Sequence, residues 1–136
     1  MPHKPKALVL DSWSVIAYLE DGPSAARIAD LMAEAHEQEA PVYLSVVNAS
    51  EVWSIIAAEI SEEEADNSIK TLRELRIQFA EVDWELARSA ARLQSRHGLA
   101  NPASHAAGLA EVKKADLVTG DSSLGELENL IQIEWV

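Results

Sequence analysis

Three acids stand where a carboxylate is hard to place. Asp11 follows the apolar run "ALVL", Glu51 lies inside the apolar pattern "SVVNASEVWSIIAAEI", and Asp121 follows "LVTG". Each Asp has an ordinary reading, because Asp is a favoured N-cap and each precedes a candidate helix or turn. Glu51 resists that reading. Val47, Ile55 and Ala58 share its side of the helix, while Ala49, Trp53, Ile56 and Ile60 line the other, so the helix reads as buried nearly all round. An unpaired carboxylate there costs on the order of several kcal/mol. Carboxylates that converge repel one another and call for a positive centre. The chain has no Cys, and its four His residues are not clustered. Hard oxygen donors then favour Mg²⁺ or Mn²⁺ over Zn²⁺. Such an ion can orient a phosphate, generate hydroxide and stabilise a leaving oxygen. Without it, at least one carboxyl, Glu51 foremost, is expected to have a raised pKa.

The elements that must position these acids follow from hydrophobic periodicity. Ala7–Leu10 reads as a buried strand and Ser12–Leu19 as a helix, stopped by "EDGP". Ser24–Gln38 is a second helix and Pro41–Ser45 a second strand. Val46–Ile60 is the helix that carries Glu51. Ser61 followed by Glu64 opens a further helix to about Leu75 with a capping-box pattern. Ile77–Val82 is a strand, and Asp83 caps a helix from Trp84 to Arg96. After the loop "HGLANP", Asn101 as cap and Pro102 at the first helical position start a helix to Lys113. Asp116–Asp121 is a strand leading into a turn, and Ile131–Val136 a last strand. Strands separated by helices imply a parallel sheet covered on both faces, a three-layer α/β fold. In such sheets ligands collect outside the carboxyl ends of the strands, where Asp11 and Asp121 fall.

Residues 1–136 suit a single domain, and a chain this long can bury a core without staples. The absence of Cys removes disulfides, thiolate metal sites and Cys nucleophiles together, and is compatible with a reducing cytoplasm. "MPHKPK" is basic, but the "ALVL" behind it is too short for the apolar region of a signal peptide. No apolar run approaches the ~20 residues of a membrane span. A cytoplasmic protein is expected. The formal net charge of −12, from 23 acids against 11 Lys and Arg, should repel nucleic acid over most of the surface. Any RNA or DNA must then be held by a local basic patch or a bound cation.

Taken in order, "LVLDSWSVIAYL", "SVVNASEVW", "GLAEVKKADLVTGD" and the terminal "IEWV" resemble the PIN domain family, in particular the VapC-type toxins of toxin–antitoxin pairs. The resemblance spans essentially the whole chain. It implies a Mg²⁺- or Mn²⁺-dependent endoribonuclease, a PIN-like fold with a central parallel sheet, and Asp11, Glu51 and Asp121 as catalytic residues and metal ligands. It also implies a cognate antitoxin protein, an RNA substrate and a homodimer. The match has a gap. The position where the family carries a further Asp, near the start of the helix before "TGD", is Ala103, between Pro102 and Ser104. A position often acidic in relatives is Ser123. Loss of one carboxylate should lower cation affinity, which depends on ligand charge count. Asn101, Ser104 or His105 could supply only a neutral donor, and imidazole matches Mg²⁺ poorly.

Other features have a functional and an ordinary reading. Arg88, Arg92 and Arg96 recur every four residues as a basic stripe, either an RNA-phosphate rail or a solvated face. Trp13 belongs near the acids or in a dimer contact; Trp53, Trp84 and Trp135 belong to the core or an interface. Two functions stand open: a metal-dependent ribonuclease, and a catalytically weak or inactive PIN domain that binds RNA or protein. A signalling domain phosphorylated at a strand-end Asp is disfavoured, because Asp11 is on the first strand and no Lys ends a late one.

Overall fold

A computed structural model describes residues 3–136; Met1 and Pro2 of the basic N-terminal stretch lie outside the described residues. The chain runs β1 (Leu8–Leu10), α1 (Ser12–Leu19), α2 (Ala25–Glu37), β2 (Val42–Ser45), α3 (Val46–Glu59), α4 (Glu62–Glu74), β3 (Ile77–Ala80), α5 (Trp84–His97), α6 (Asn101–Lys113), β4 (Asp116–Thr119) and β5 (Ile133–Trp135). A 3₁₀ helix, Ser122–Leu127, occupies the turn after β4. The strands form one sheet in the order β3-β2-β1-β4-β5, every neighbouring pair parallel.

The pleat divides the core in two. Leu8 and Leu10 of β1 face one way with Val118 of β4. They pack on Val15 of α1, Ile28 and Met32 of α2, Val52 and Ile56 of α3 and Leu72 of α4. Val9 and Leu117 face the other way, onto Leu86 and Leu93 of α5, Leu109 of α6, and Leu124 and Leu127. The sheet is therefore the middle of three layers. Each expected strand exists but is shorter at its ends. Gln78 is exposed in β3, and pairing stops at Ala80, so Glu81 and Val82 are outside the strand. The second helical layer depends on small residues. Gly108 of α6 lies against Ala90 of α5, where an added Cβ would come to 3.0 Å from the Ala90 nitrogen.

Two expectations about helices are corrected. Asn101 is the first residue of α6 and not its cap; Ala100 takes the extended cap conformation, φ −61° and ψ 154°. The Asn101 amide oxygen instead accepts a hydrogen bond from Gln94 Nε2 at 2.7 Å. α3 is not buried all round. Its buried side is Asn48, Ala49, Val52 and Ile56, whereas Ala58 and Ile60 are exposed and Glu51 is half-buried. A helix on one face of a sheet has only one packed side, and α3 follows that rule.

No helix among the described residues is long and apolar enough to cross a membrane.

Candidate functional site

The chain steps outward from β1 to β2 and β3, then crosses back to place β4 on the other side of β1. The β1–β4 boundary is the point where the strand order reverses, and loops diverge there to leave a crevice at the carboxyl ends. Asp11 follows β1, and Asp121 follows Gly120 at the end of β4. A cavity of about 760 Å³ opens at this edge. Asp11, Glu51 and Asp121 all line it, with Ala103 of α6.

Asp11 is built into the fold twice. It caps α1: its Oδ1 accepts the Ser14 N–H at 2.8 Å, and the Ser14 hydroxyl closes a capping box with the Asp11 backbone. One residue beyond the paired Leu10 and Val118, its Oδ2 accepts a short hydrogen bond from the Thr119 hydroxyl. Thr119 Oγ1 in turn accepts the Asp121 N–H at 2.9 Å. Asp121 caps the 3₁₀ helix, its Oδ1 accepting the Ser123 N–H at 2.9 Å. Both aspartates thus make the caps that their sequence context suggests, and both also reach the cavity.

Asp11 is only 3% exposed. Burial raises its carboxyl pKa above the usual carboxylate value, against the hydrogen bonds from Thr119 and Ser14, and the nearby Asp121 charge raises it further. The buried acid of the set is therefore Asp11, and the expectation that Glu51 would be the buried one is corrected. Glu51 projects from the half-exposed side of α3. Among the described residues, no three His, Asp or Glu side chains are close enough together to hold one metal ion. Among the described residues, no Lys, Arg or His lines the cavity.

The residue that joins the walls is one the sequence reading passed over. Asn48, fully buried, donates from Nδ2 to Ser12 Oγ of α1 and to the Pro102 carbonyl of α6, both at 3.0 Å. Its Oδ1 accepts from the Ser45 hydroxyl at 2.5 Å. The starts of α1, α3 and α6, which carry Asp11, Glu51 and Ala103 into the cavity, are therefore tied by one amide. A signal for it exists. Asn48 shares its helical stripe with Val52 and Ile56, and a polar group on a buried stripe must have partners.

The arginine stripe lies elsewhere. Arg88, Arg92 and Arg96 do not line the cavity, and Arg92 pairs with Glu111 of α6 at 3.7 Å. His105 donates from Nδ1 to the Asn101 carbonyl, 2.8 Å away. A second buried acid, Asp116, sits at the opposite end of β4 and pairs with His3 at 2.8 Å; burial raises its carboxyl too.

Of the tryptophans, Trp53 donates to Asp66 at 2.8 Å, and Trp84 is 76% exposed and outside the core. Trp13 lines the cavity, and the benzene end of its indole lies against Gly120. A Cβ at Gly120 would overlap three carbons of that ring. Gly120→Ala is expected to cost about 1–3 kcal/mol of stability and to displace the indole. Urea denaturation with a shift in tryptophan emission would show it; an unchanged midpoint and spectrum would contradict this packing.

The donor set suits a hard divalent cation. Asp11 is a buried carboxyl supported only by neutral hydrogen-bond donors, in a largely apolar cavity whose charged lining, among the described residues, is the acids Asp11, Glu20, Glu51 and Asp121. Mg²⁺ keeps several waters and needs only one or two direct carboxylates.

The PIN domain family model matches residues 8–130. No curated protein matches the chain at a significant level. Among solved structures, VapBC2 from Rickettsia felis, bound to a DNA fragment from its promoter, aligns with a TM-score of 0.74 at 13% identity, covering 96% of this chain and 98% of that one. VapBC-1 from nontypeable Haemophilus influenzae aligns at 0.71 and 17% identity, over 94% of this chain and 96% of that one. VapC20 from Mycobacterium tuberculosis, a toxin that cleaves the sarcin–ricin loop, aligns at 0.68 and 15% identity, over 88% and 94%. At these identities the likeness is one of fold.

Proposed function

This chain belongs to the PIN domain family, and from that premise we propose that it is a metal-dependent endoribonuclease of the VapC toxin kind. The observation that carries the reading is the buried Asp11 carboxyl, facing a cavity shared with Asp121 and Glu51 and supported there by no cationic side chain. Asp11 and Asp121 would hold Mg²⁺ or Mn²⁺ directly, and Glu51, on the same cavity wall but not close enough to complete a three-acid cluster, would act through one of the ion's waters. When bound, the ion would supply an activated water and polarise a phosphodiester oxygen. Thr119 and Ser14 hold the two Asp11 oxygens in fixed directions, so the carboxylate does not have to reorganise to meet a cation. Asn48 fixes the helix starts around it. VapBC assemblies among its neighbours in fold support a cognate antitoxin as partner; a homodimer as the working form is part of the same proposal.

A second reading has its own observation. Ala103 lines the cavity where a further acid would add charge. A cavity with no acid at position 103 suits a PIN domain that binds RNA or protein and cleaves weakly or not at all, even with Glu20 as a fourth acid on its wall.

Ala103→Asp separates the two. A carboxylate in the first turn of a helix is favoured by the helix dipole, by roughly 0.3–1 kcal/mol when exposed, so the substitution should be tolerated. Calorimetric Mn²⁺ titration is expected to show affinity rising about tenfold, as ligand charge count tunes it. Cleavage of single-stranded RNA should rise in parallel, and Asp11→Asn should abolish it in both backgrounds. Unchanged metal affinity in Ala103→Asp would remove position 103 from the site. Tighter metal with no cleavage would favour the binding module.

A further inference from the structure

A ribonuclease with this surface has a difficulty at its own cavity. The protein carries a net charge of −12, and no Lys, Arg or His among the described residues lines the cavity wall. A cation can neutralise the phosphate beside it, but among the described residues the cavity wall offers no cationic side chain to the phosphates on either side. Affinity must then come from a part of the nucleotide that carries no charge.

Trp13 supplies a surface for it. It is the only aromatic residue on the cavity wall among the described residues, and it is 41% exposed. The other large exposed apolar side chains, Ile60, Val82, Trp84, Leu130 and Trp135, all lie off the cavity. The indole is also held in place. It stands in the first turn of α1, two residues after Asp11, and its benzene end rests on Gly120, the residue before Asp121. Glycine at that position makes the seat possible. A ring that is already ordered loses little freedom when a ligand stacks on it.

We propose that Trp13 is the stacking platform for a base of single-stranded RNA, seating one nucleotide beside Asp11 and Asp121. The proposal rests on the ribonuclease reading and adds the recognised part of the substrate. Bases have a π-face that stacks on aromatic side chains whatever the sequence, and sequence preference then follows stacking strength. Paired RNA keeps its bases inside the helix and cannot offer one, so duplex should be excluded. Purines, with the larger face, should be preferred.

The test is equilibrium binding of a fluorescein-labelled single-stranded oligoadenylate, read by anisotropy in Ca²⁺, which takes the same oxygen ligands. Wild type, Trp13→Ala, Trp13→Leu and Trp13→Phe are compared after circular dichroism and thermal melting confirm that each folds. Trp13→Ala and Trp13→Leu are expected to weaken binding about 10- to 100-fold, the range for one stacked base, and Trp13→Phe far less. Competition by a duplex of the same length, or by inorganic polyphosphate, should be weak and equal for all four proteins. Wild-type affinity in Trp13→Leu would overturn the proposal, since bulk alone would then suffice. So would a change of sedimentation in the variants with unchanged RNA affinity, which would make Trp13 a contact between copies. If RNA binds and Ala103→Asp cleaves it while Trp13→Ala binds as wild type does, the stacking proposal fails and the ribonuclease reading stands. If wild type and Ala103→Asp both ignore oligoadenylate, the two fail together.

Discussion

Asp11→Asn is expected to stabilise the metal-free protein while removing its activity. Burial raises the Asp11 pKa above its unfolded value, so the protonated form is the one that the fold prefers. The stability that this proton contributes is fully present below the unfolded carboxylate pKa and is lost as pH rises through the folded pKa. As pH rises above the unfolded value, the folded protein bears a growing penalty for a carboxyl whose charged form it desolvates. Asn keeps the Oδ1 acceptor for the Ser14 N–H and carries no charge. The expected gain is about 1–3 kcal/mol at pH 7.5 in EDTA, the scale of one poorly compensated buried polar group, falling towards zero near pH 4. Urea denaturation of both proteins at several pH values measures it. Added Mg²⁺ should stabilise wild type and leave Asp11→Asn unmoved, because only a protein that binds the ion gains from mass action. Ribonuclease activity should fall about a hundredfold or more, at least as far as loss of a ligand-orienting group would take it. A variant less stable than wild type at pH 7.5 would mean that the Thr119 hydrogen bond outweighs desolvation.

Asn48→Ala is expected to be the most damaging single truncation at the site. It removes two donors and one acceptor at once and leaves the Pro102 carbonyl, Ser12 and Ser45 without their partner. A buried group stripped of its partner costs about 1–3 kcal/mol, and relaxation around the small cavity limits the sum to about 2–4 kcal/mol. Asn48→Asp should be comparably destabilising at pH 7.5, since a carboxylate cannot donate to the Pro102 oxygen, and should recover towards pH 4 as it protonates. Because α1, α3 and α6 converge on this amide, cation binding should weaken even where the variant stays folded. Chemical denaturation and metal titration read the two effects separately. Stability within 0.5 kcal/mol of wild type, the usual range for an innocuous surface change, would show that the amide is dispensable.

The fold was readable because its strands are short apolar runs bounded by acids, glycines and helix caps. Leu8–Leu10 ends at Asp11, and Asp116–Thr119 ends at Gly120, so both acids could be placed just past strands from the residue order, although the later strand was expected to run on to Asp121. The six-residue 3₁₀ helix was not readable, since Ser122–Leu127 is too short for a period and contains Gly125. For Glu51, burial was inferred from apolar neighbours, but Ala58 and Ile60 are apolar and exposed, and periodicity cannot tell a packed apolar residue from a solvated one. The same reasoning applied to Asn48 would have succeeded. Thr119 left no comparable mark: a hydroxyl at a strand end meets Asp11 only through pairing with a distant strand, and spacing along the chain does not encode that meeting.

The partner that fixes Asp11 lies 108 residues further along the chain. During synthesis the ribosome releases the N-terminal part first, at roughly 5–20 residues per second. For about 5–20 seconds, then, a nascent chain carries Asp11 and later Glu51 with the β4 side of the crevice still unmade. A chain interrupted before β4 therefore leaves Asp11 Oδ2 without the Thr119 hydroxyl, and β1 without its neighbour on that side. Placing the first strand beside the fourth makes the closing of this crevice depend on residues made long after its first acid.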